Sequence, residues 1–212
     1  MHPFDAPRIQ FFSLRKRLLR INEDLLTIHG VVRESYLFLP DSSNIEMMTM
    51  YLEDRRYLSH YGLDLFSVVR EVIKALSFRK HGGASTIDMQ FVRTCTGFRD
   101  RTISRKLYEI LLAFIIQFRY SKRQVLRSYL SCAYFGSGLT GVERASMKVF
   151  KKRAESLTLI EASFIASMLV SPMPLSPSPN WYSRVVRRAL YGQRIRVSHE
   201  ESLKELKITK LR

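Results

Sequence analysis

The stretch EDRRYLSHYG at residues 53–62 brings two carboxylates, two guanidinium groups and an imidazole together and ends at a glycine. An acidic pair beside two arginines is most often an ion-pair cluster on a solvated surface, which contributes little to stability. The interpretation of this stretch therefore depends on the residues that come after it in the chain.

Two further polar clusters lie at a distance along the chain. The stretch GASTIDMQ at residues 83–90 places small hydroxyls and an amide after glycine, where a turn can present them to sugar or phosphate oxygens. The stretch RKLYE at residues 105–109 places Lys106 and Glu109 three positions apart, and so on one helix face. A capping turn and a local salt bridge are the ordinary explanations of these clusters. The order and spacing of all three clusters are more specific than any one of them.

Together with KRQVLRSYLS at residues 122–131, these clusters resemble the peptidoglycan glycosyltransferases, also called glycosyltransferase family 51. Members of that family polymerise lipid II into glycan strands. The resemblance covers residues 46–195. It implies a mainly α, lysozyme-like glycosyltransferase domain that acts as a monofunctional enzyme. The layout we expect is a basic amphipathic N-terminal arm (1–45), the glycosyltransferase domain (46–195) and a charged C-terminal tail (196–212).

The resemblance also implies roles for particular residues. Glu53 matches the base that deprotonates the acceptor hydroxyl, and Glu109 matches a second essential carboxylate near the donor pyrophosphate. No cofactor is obligatory, although Glu109 suggests a divalent cation held against the phosphates. His60 is also expected to support the loop that carries Glu53. The positions expected to contact substrate are Asp54, His60, Ser85, Thr86, Gln90, Arg93, Arg101, Arg105 and Lys106.

Several positions depart from the family pattern. Among them, Met89 replaces the first of two glutamines, Asp88 replaces a hydroxyl residue, and Ser131 replaces an asparagine. Met89 and Ser131, together with the lack of a visible membrane anchor, favour an alternative in which the chain keeps the fold and binds lipid II or cell-wall synthesis proteins without catalysis. A relative that cleaves peptidoglycan, as lysozyme does, is a weaker alternative.

The charge of the chain indicates an anionic partner. Lysine and arginine total 35 against 19 acidic residues, which gives a formal net charge of +16. Such an excess favours polyanions, anionic lipid surfaces and pyrophosphates. Nucleic acid is an alternative on charge alone, but we consider it unlikely because the sequence has neither zinc-finger spacing nor an aromatic RNA-binding signature. The isolated Cys95 and Cys132 lack metal-ligand spacing and are assigned no chemistry.

Apolar residues recur with helical spacing in three segments. The segments begin at Leu65, at Leu107 and, after a Thr158–Glu161 capping pattern, at Ala162. We expect the second helix to be central because its apolar stripe, from Leu107 to Phe118, is wide. Alternating strand patterns are scarce.

The expected location comes from the resemblance rather than from a targeting segment. The longest apolar run, residues 110–116, is far shorter than the ~20 residues that span a membrane, and the start does not read as a signal peptide. Residues 8–20 mix aromatic and leucine side chains with basic ones, which suits an anionic membrane surface and a helix packed on the domain equally well. The resemblance implies the extracytoplasmic face of the bacterial cytoplasmic membrane, with lipid II and the growing glycan strand as substrates.

Overall fold

The structure, a computed structural model, describes residues 14–38, 43–76, 85–97 and 102–210, and these confirm the mainly α prediction. One two-stranded antiparallel sheet, β1 (Tyr134–Gly136) with β2 (Leu139–Thr140), joins the helices. The α-helices are α1 (Leu14–Phe38), α2 (Ser43–Glu53), α3 (Leu65–Leu76), α4 (Ile87–Thr96), α5 (Ile103–Ile116), α6 (Lys122–Cys132), α7 (Val142–Phe150), α8 (Leu159–Ser167) and α9 (Pro179–Lys210).

Local sequence explains where several helices begin. The side chains of Thr86, Thr102, Ser121 and Thr158 each accept a hydrogen bond from a backbone N–H in the first turn of the helix. Thr158 and Glu161 form the reciprocal capping box that the sequence predicted. Such caps satisfy donors that a helix start would otherwise leave unpaired.

The first of two packed layers of helices is centred on α4. This helix packs against α6, α5 and α1, and its Phe91 and Val92 are fully buried. Ile28 and Val32 of α1 belong to the same core. The segment expected to be an N-terminal arm therefore contributes a helix to the core, because Ile28 and Val32, four residues apart, lie on one apolar face.

A second packed layer joins α2 to α8 and α9. Gly192 allows the close approach of α9 to α2, since a Cβ atom there would lie 2.9 Å from Leu52 Cδ2. Trp181, at the start of α9, is 2% exposed and stacks edge-on with Phe164 of α8. The charged tail expected from residue 196 continues α9 as helix as far as Lys210.

The predicted orientation of α5 is wrong, although the helix itself is confirmed. Leu107 and Phe118, at the two ends of the predicted core stripe, are 62% and 78% exposed. The buried face instead carries Glu109, Leu112 and Ala113, together with Ile116. The predicted apolar stripe and the face that carries Glu109 therefore lie on different sides of this helix. The side that carries Glu109 is the buried one.

The helix α3 shows the same behaviour. It forms where the spacing predicts it, but its Leu65, Phe66, Val69 and Ile73 side chains are all more than half exposed. The helix stop expected at residues 81–83 lies outside the described residues.

Candidate active site

The candidate site is built around the N-terminal half of α4. Thr86 caps this helix and donates a hydrogen bond from Oγ1 to the backbone oxygen of Gly62, at 2.7 Å. Gly62 has a φ of 78°, and a Cβ atom there would lie 2.6 Å from the backbone oxygen of Ala113 in α5. Only glycine fits this position, so the 53–62 segment, α4 and α5 are held against one another at this point.

Glu53, the last residue of α2, lies between an arginine and an amide. Its Oε1 accepts a hydrogen bond from Arg188 Nη2 at 2.8 Å, and its Oε2 accepts one from Gln90 Nε2 at 3.3 Å. The Glu53 side chain is 7% exposed. The side chain therefore has a fixed position and remains slightly exposed.

Tyr129 of α6 fixes the orientation of the Gln90 amide. Its hydroxyl donates to Gln90 Oε1 at 2.6 Å. Burial, followed by the charge of Glu53, raises the pKa of Tyr129 well above its usual value, so the hydroxyl keeps its proton and must donate. Gln90 consequently turns its N–H groups towards Glu53.

A buried ionic network lies beneath Glu53. Asp54 Oδ2 is 2.9 Å from His60 Nε2 and accepts the backbone N–H of Ile87 at 3.2 Å. Asp88 accepts hydrogen bonds from Lys122 Nζ at 2.7 Å and Gln117 Nε2 at 2.8 Å. Burial raises the pKa of Asp88 despite the attraction of Lys122. Asp54, His60 and Asp88 thus have contacts that support the site from within.

Glu109 sits in a cationic cluster on α5. Its side chain is fully buried, with Oε1 2.8 Å from Arg105 Nη1 and Oε2 3.6 Å from Lys106 Nζ. Lys106 also donates to Ser85 Oγ at 2.9 Å. Burial lowers the pKa of Lys106, and the nearby charge of Arg93 lowers it further, whereas Glu109 opposes the shift.

Arg93 connects the two sides of the site. It lies on α4 one turn after Gln90, and its charge acts both on Lys106 and on Tyr129. The Glu53 side and the Glu109 side therefore share α4 as a common wall, with a cation between them.

The predicted site residues fall into two groups. Glu53, Gln90, Arg93, Ser85, Lys106, Arg105 and Glu109 surround the start of α4, whereas Asp54, His60 and Thr86 are buried in supporting contacts. Their roles as substrate contacts remain predictions. Arg101 lies outside the described residues.

Sequence reasoning gave too little weight to two residues. The family pattern led us to assign no site role to Tyr129 or to Arg188. Tyr129 contacts Gln90, and Arg188 contacts both Glu53 and the backbone oxygen of Leu52. Their separation from Glu53 along the chain hid these contacts.

The sequence profile of the Transglycosylase family matches residues 33–195. The chain belongs to this family. The match confirms the predicted lysozyme-like glycosyltransferase domain, which functions in peptidoglycan biosynthesis.

Individual relatives agree with the family match. Penicillin-binding protein 1A of Rickettsia bellii is 34% identical over 165 residues, which are 74% of this chain and 21% of that protein. Penicillin-binding protein 2a of Streptococcus pneumoniae is 35% identical over 144 residues, 68% of this chain and 19% of that protein. A Cupriavidus necator protein named "Putative transglycosylase H16_A0665" is 38% identical over 129 residues, 61% of this chain and 56% of that protein. The chain thus spans about a fifth of the two penicillin-binding relatives.

Within the described ranges, no helix is both long and apolar enough to cross a membrane. In the same ranges, no three histidine, cysteine or acidic side chains cluster in a way that could hold a metal ion. Glu109 is a single carboxylate between two cations, which is a poor ligand set for a divalent cation. The cation expected near the pyrophosphate finds no matching ligands among these residues.

Proposed function

We propose that this chain polymerises lipid II into β-1,4-linked glycan, with inversion at the anomeric carbon and release of undecaprenyl pyrophosphate. The observation that carries the proposal is the position of Glu53. It is a slightly exposed carboxylate that contacts α4 through Gln90, and α5, which packs on the same helix, carries the cationic cluster. We assign the role of base to Glu53 and leaving-group stabilisation to the cluster.

In the proposed reaction, Glu53 Oε2 takes the proton of the acceptor sugar's 4-hydroxyl. The hydroxyl oxygen then bonds to the anomeric carbon of the donor as the bond to the pyrophosphate oxygen breaks. The electron pair of the broken bond leaves with the pyrophosphate, and Lys106 and Arg93 stabilise the negative charge that develops there. Arg188 and Gln90 keep Glu53 in place for the proton transfer.

The departures from the family pattern do not remove the polar groups of the candidate site. Met89 is 1% exposed and belongs to the hydrophobic core, while the retained Gln90 is the residue that contacts Glu53. Ser131 forms a hydrogen bond with Ser35 of α1 at 2.7 Å. These contacts favour a catalytic member over the non-catalytic alternative.

The test is polymerisation of labelled lipid II by the wild-type chain and by Glu53→Gln. Loss of the base should lower the rate by about 10²–10⁴-fold, with the thermal unfolding midpoint unchanged. Equal rates in the two proteins would reject the role of Glu53. Lipid II binding without turnover in the wild type would assign the chain to the non-catalytic alternative, and tight, salt-sensitive duplex binding without lipid II binding would assign it to nucleic acid.

We also propose that this site works at an anionic membrane surface. Exposed apolar side chains line the outer faces of α3 and α5, and Leu58 and Tyr61, in the segment between Glu53 and α3, are each 74% exposed. So many exposed apolar side chains are unusual on a surface that faces only water. A helix that lies at a membrane interface buries such side chains among the lipid chains.

Vesicle binding tests this surface. The double variant Val69→Glu and Leu107→Glu should bind vesicles containing anionic lipid more weakly than the wild type. The matched control is Leu175→Glu, which changes a side chain that is 88% exposed on the segment before α9. Equal loss in the control, or no loss in the double variant, would contradict the proposal.

A further inference from the structure

A groove of about 1110 Å³ lies beside the candidate active site, between α2, the segment after Glu53 and the second half of α9. Tyr51 of α2, two residues before Glu53, forms part of one wall. Tyr191 of α9, one turn after the Arg188 that holds Glu53, forms part of the other. The groove therefore lies next to the two helices that carry Glu53 and Arg188.

One wall of this groove lies partly beyond the part of the chain that resembles the family. Ser198, His199 and Ser202 line the groove, and the family match ends at residue 195. His199 reaches across to α2, with its Nδ1 3.1 Å from the Tyr51 hydroxyl. The extension of α9 thus completes a feature that the common domain alone would leave open.

As far as the described residues form it, the lining is cationic and includes no acidic side chain. Arg55 donates a hydrogen bond to the Tyr191 hydroxyl and lies over the Tyr191 ring, which fixes its guanidinium in place. Arg194 is exposed, and no described residue gives it a carboxylate partner. Glu200, whose charge acts on Tyr51, is itself paired with Arg196.

The remaining lining is apolar and aromatic. Met47, Met50, Leu58 and Ile195 contribute apolar surface beside the tyrosines. An occupant that suits both parts has carboxylates for the guanidinium groups and small apolar groups for the methionine side. Its size is that of a short peptide rather than of a single sugar.

We propose that this groove binds the carboxylate-bearing peptide stem that peptidoglycan sugars carry. The inference rests on the proposed function, because only a muramyl substrate would bring such a peptide next to Glu53. Binding of the stem beside the base holds the sugar that carries it in register with the reacting hydroxyl. The α9 extension therefore contributes to substrate selection.

The experiment measures binding of a soluble, fluorescently labelled muramyl pentapeptide and of the same compound with its carboxylates amidated. Wild type should bind the acidic peptide more tightly, and Arg194→Gln should weaken that binding by about fivefold, the upper end for one exposed charge pair. Affinity for the amidated peptide should not change. Because Arg194 is exposed, the variant should keep the fold.

The matched control is Arg184→Gln, which removes an exposed arginine of α9 outside the groove. It should bind both peptides as the wild type does. Equal affinity for acidic and amidated peptides, or equal losses in the two arginine variants, would overturn the proposal. Loss of binding to phosphatidylglycerol vesicles in Arg194→Gln, without any preference for the acidic peptide, would overturn it and assign the groove to lipid headgroups.

The outcome is separable from the proposed function. If the chain polymerises lipid II but does not distinguish acidic from amidated peptide, the groove proposal fails alone. If the acidic peptide binds as expected and lipid II is not polymerised, the catalytic proposal fails and the groove remains a peptide site.

Discussion

Glu53 and Glu109 lie near the same helix, yet their surroundings differ. Glu109 is fully buried and faces two cations, while Glu53 is 7% exposed and faces one arginine and one amide. A carboxylate enclosed by cations acts by positioning them, whereas one with access to the cleft can exchange a proton with substrate. We therefore propose that environment, not residue type, assigns different roles to the two glutamates.

The largest expected effect is on the stability of the fold and concerns the buried Glu109. In Arg105→Met, Glu109 keeps only the longer contact with Lys106, so a buried charge loses its main partner. The free energy of unfolding should fall by about 2–4 kcal/mol, as measured by urea denaturation.

The control for this variant is Arg196→Met, which breaks an ion pair of the same spacing on α9 in which Glu200 is 46% exposed. Its loss should be no more than about 0.5 kcal/mol. Equal losses in the two variants would show that burial does not distinguish Glu109.

A smaller effect is expected on kcat and concerns the residues that hold Glu53. Tyr129→Phe removes the hydroxyl that orients Gln90, so the amide can turn its oxygen towards Glu53. We expect kcat to fall about tenfold, equivalent to ~1.4 kcal/mol, while KM changes little. Tyr134→Phe, which alters a tyrosine that is 55% exposed on β1, should leave kcat unchanged. A rise in KM alone would mean that Gln90 binds substrate rather than positioning Glu53.

The smallest expected effect is on the pH dependence of activity and concerns Arg93. Arg93 helps to lower the pKa of Lys106, so Arg93→Gln should raise that pKa and keep Lys106 charged to higher pH. If the activity declines at alkaline pH because Lys106 loses its proton, the decline should move to higher pH in the variant. Arg144→Gln, an exposed change on α7, should leave the profile in place. A shift towards lower pH would contradict the assigned electrostatics.

Local patterns predicted three of the helices and one cap correctly, because both kinds of feature depend on neighbours in sequence. The spacing from Leu65 and from Leu107 predicted α3 and α5, and Thr158 with Glu161 predicted the start of α8. The core-facing side of α5 was predicted wrongly, because spacing shows that an apolar face exists but not whether protein or lipid covers it.

The site was predictable only as far as its residues recur in a family pattern. Glu53, Gln90 and Glu109 were proposed as site residues in this way. The contacts of Arg188 and Tyr129 with them join residues far apart in the chain and depend on how α6 and α9 pack on α2 and α4. Three residues that line the groove, Ser198, His199 and Ser202, lie beyond the matched region, so the family pattern could not indicate that part of its wall.

The most direct test of the two-role account measures lipid II affinity and turnover separately in Glu53→Gln and Glu109→Gln. We predict that Glu53→Gln loses turnover and binds lipid II as tightly as the wild type. Glu109→Gln should bind lipid II more weakly, because Arg105 and Lys106 lose their anchor. Near-normal turnover in Glu53→Gln, or lost turnover with unchanged affinity in Glu109→Gln, would contradict the account.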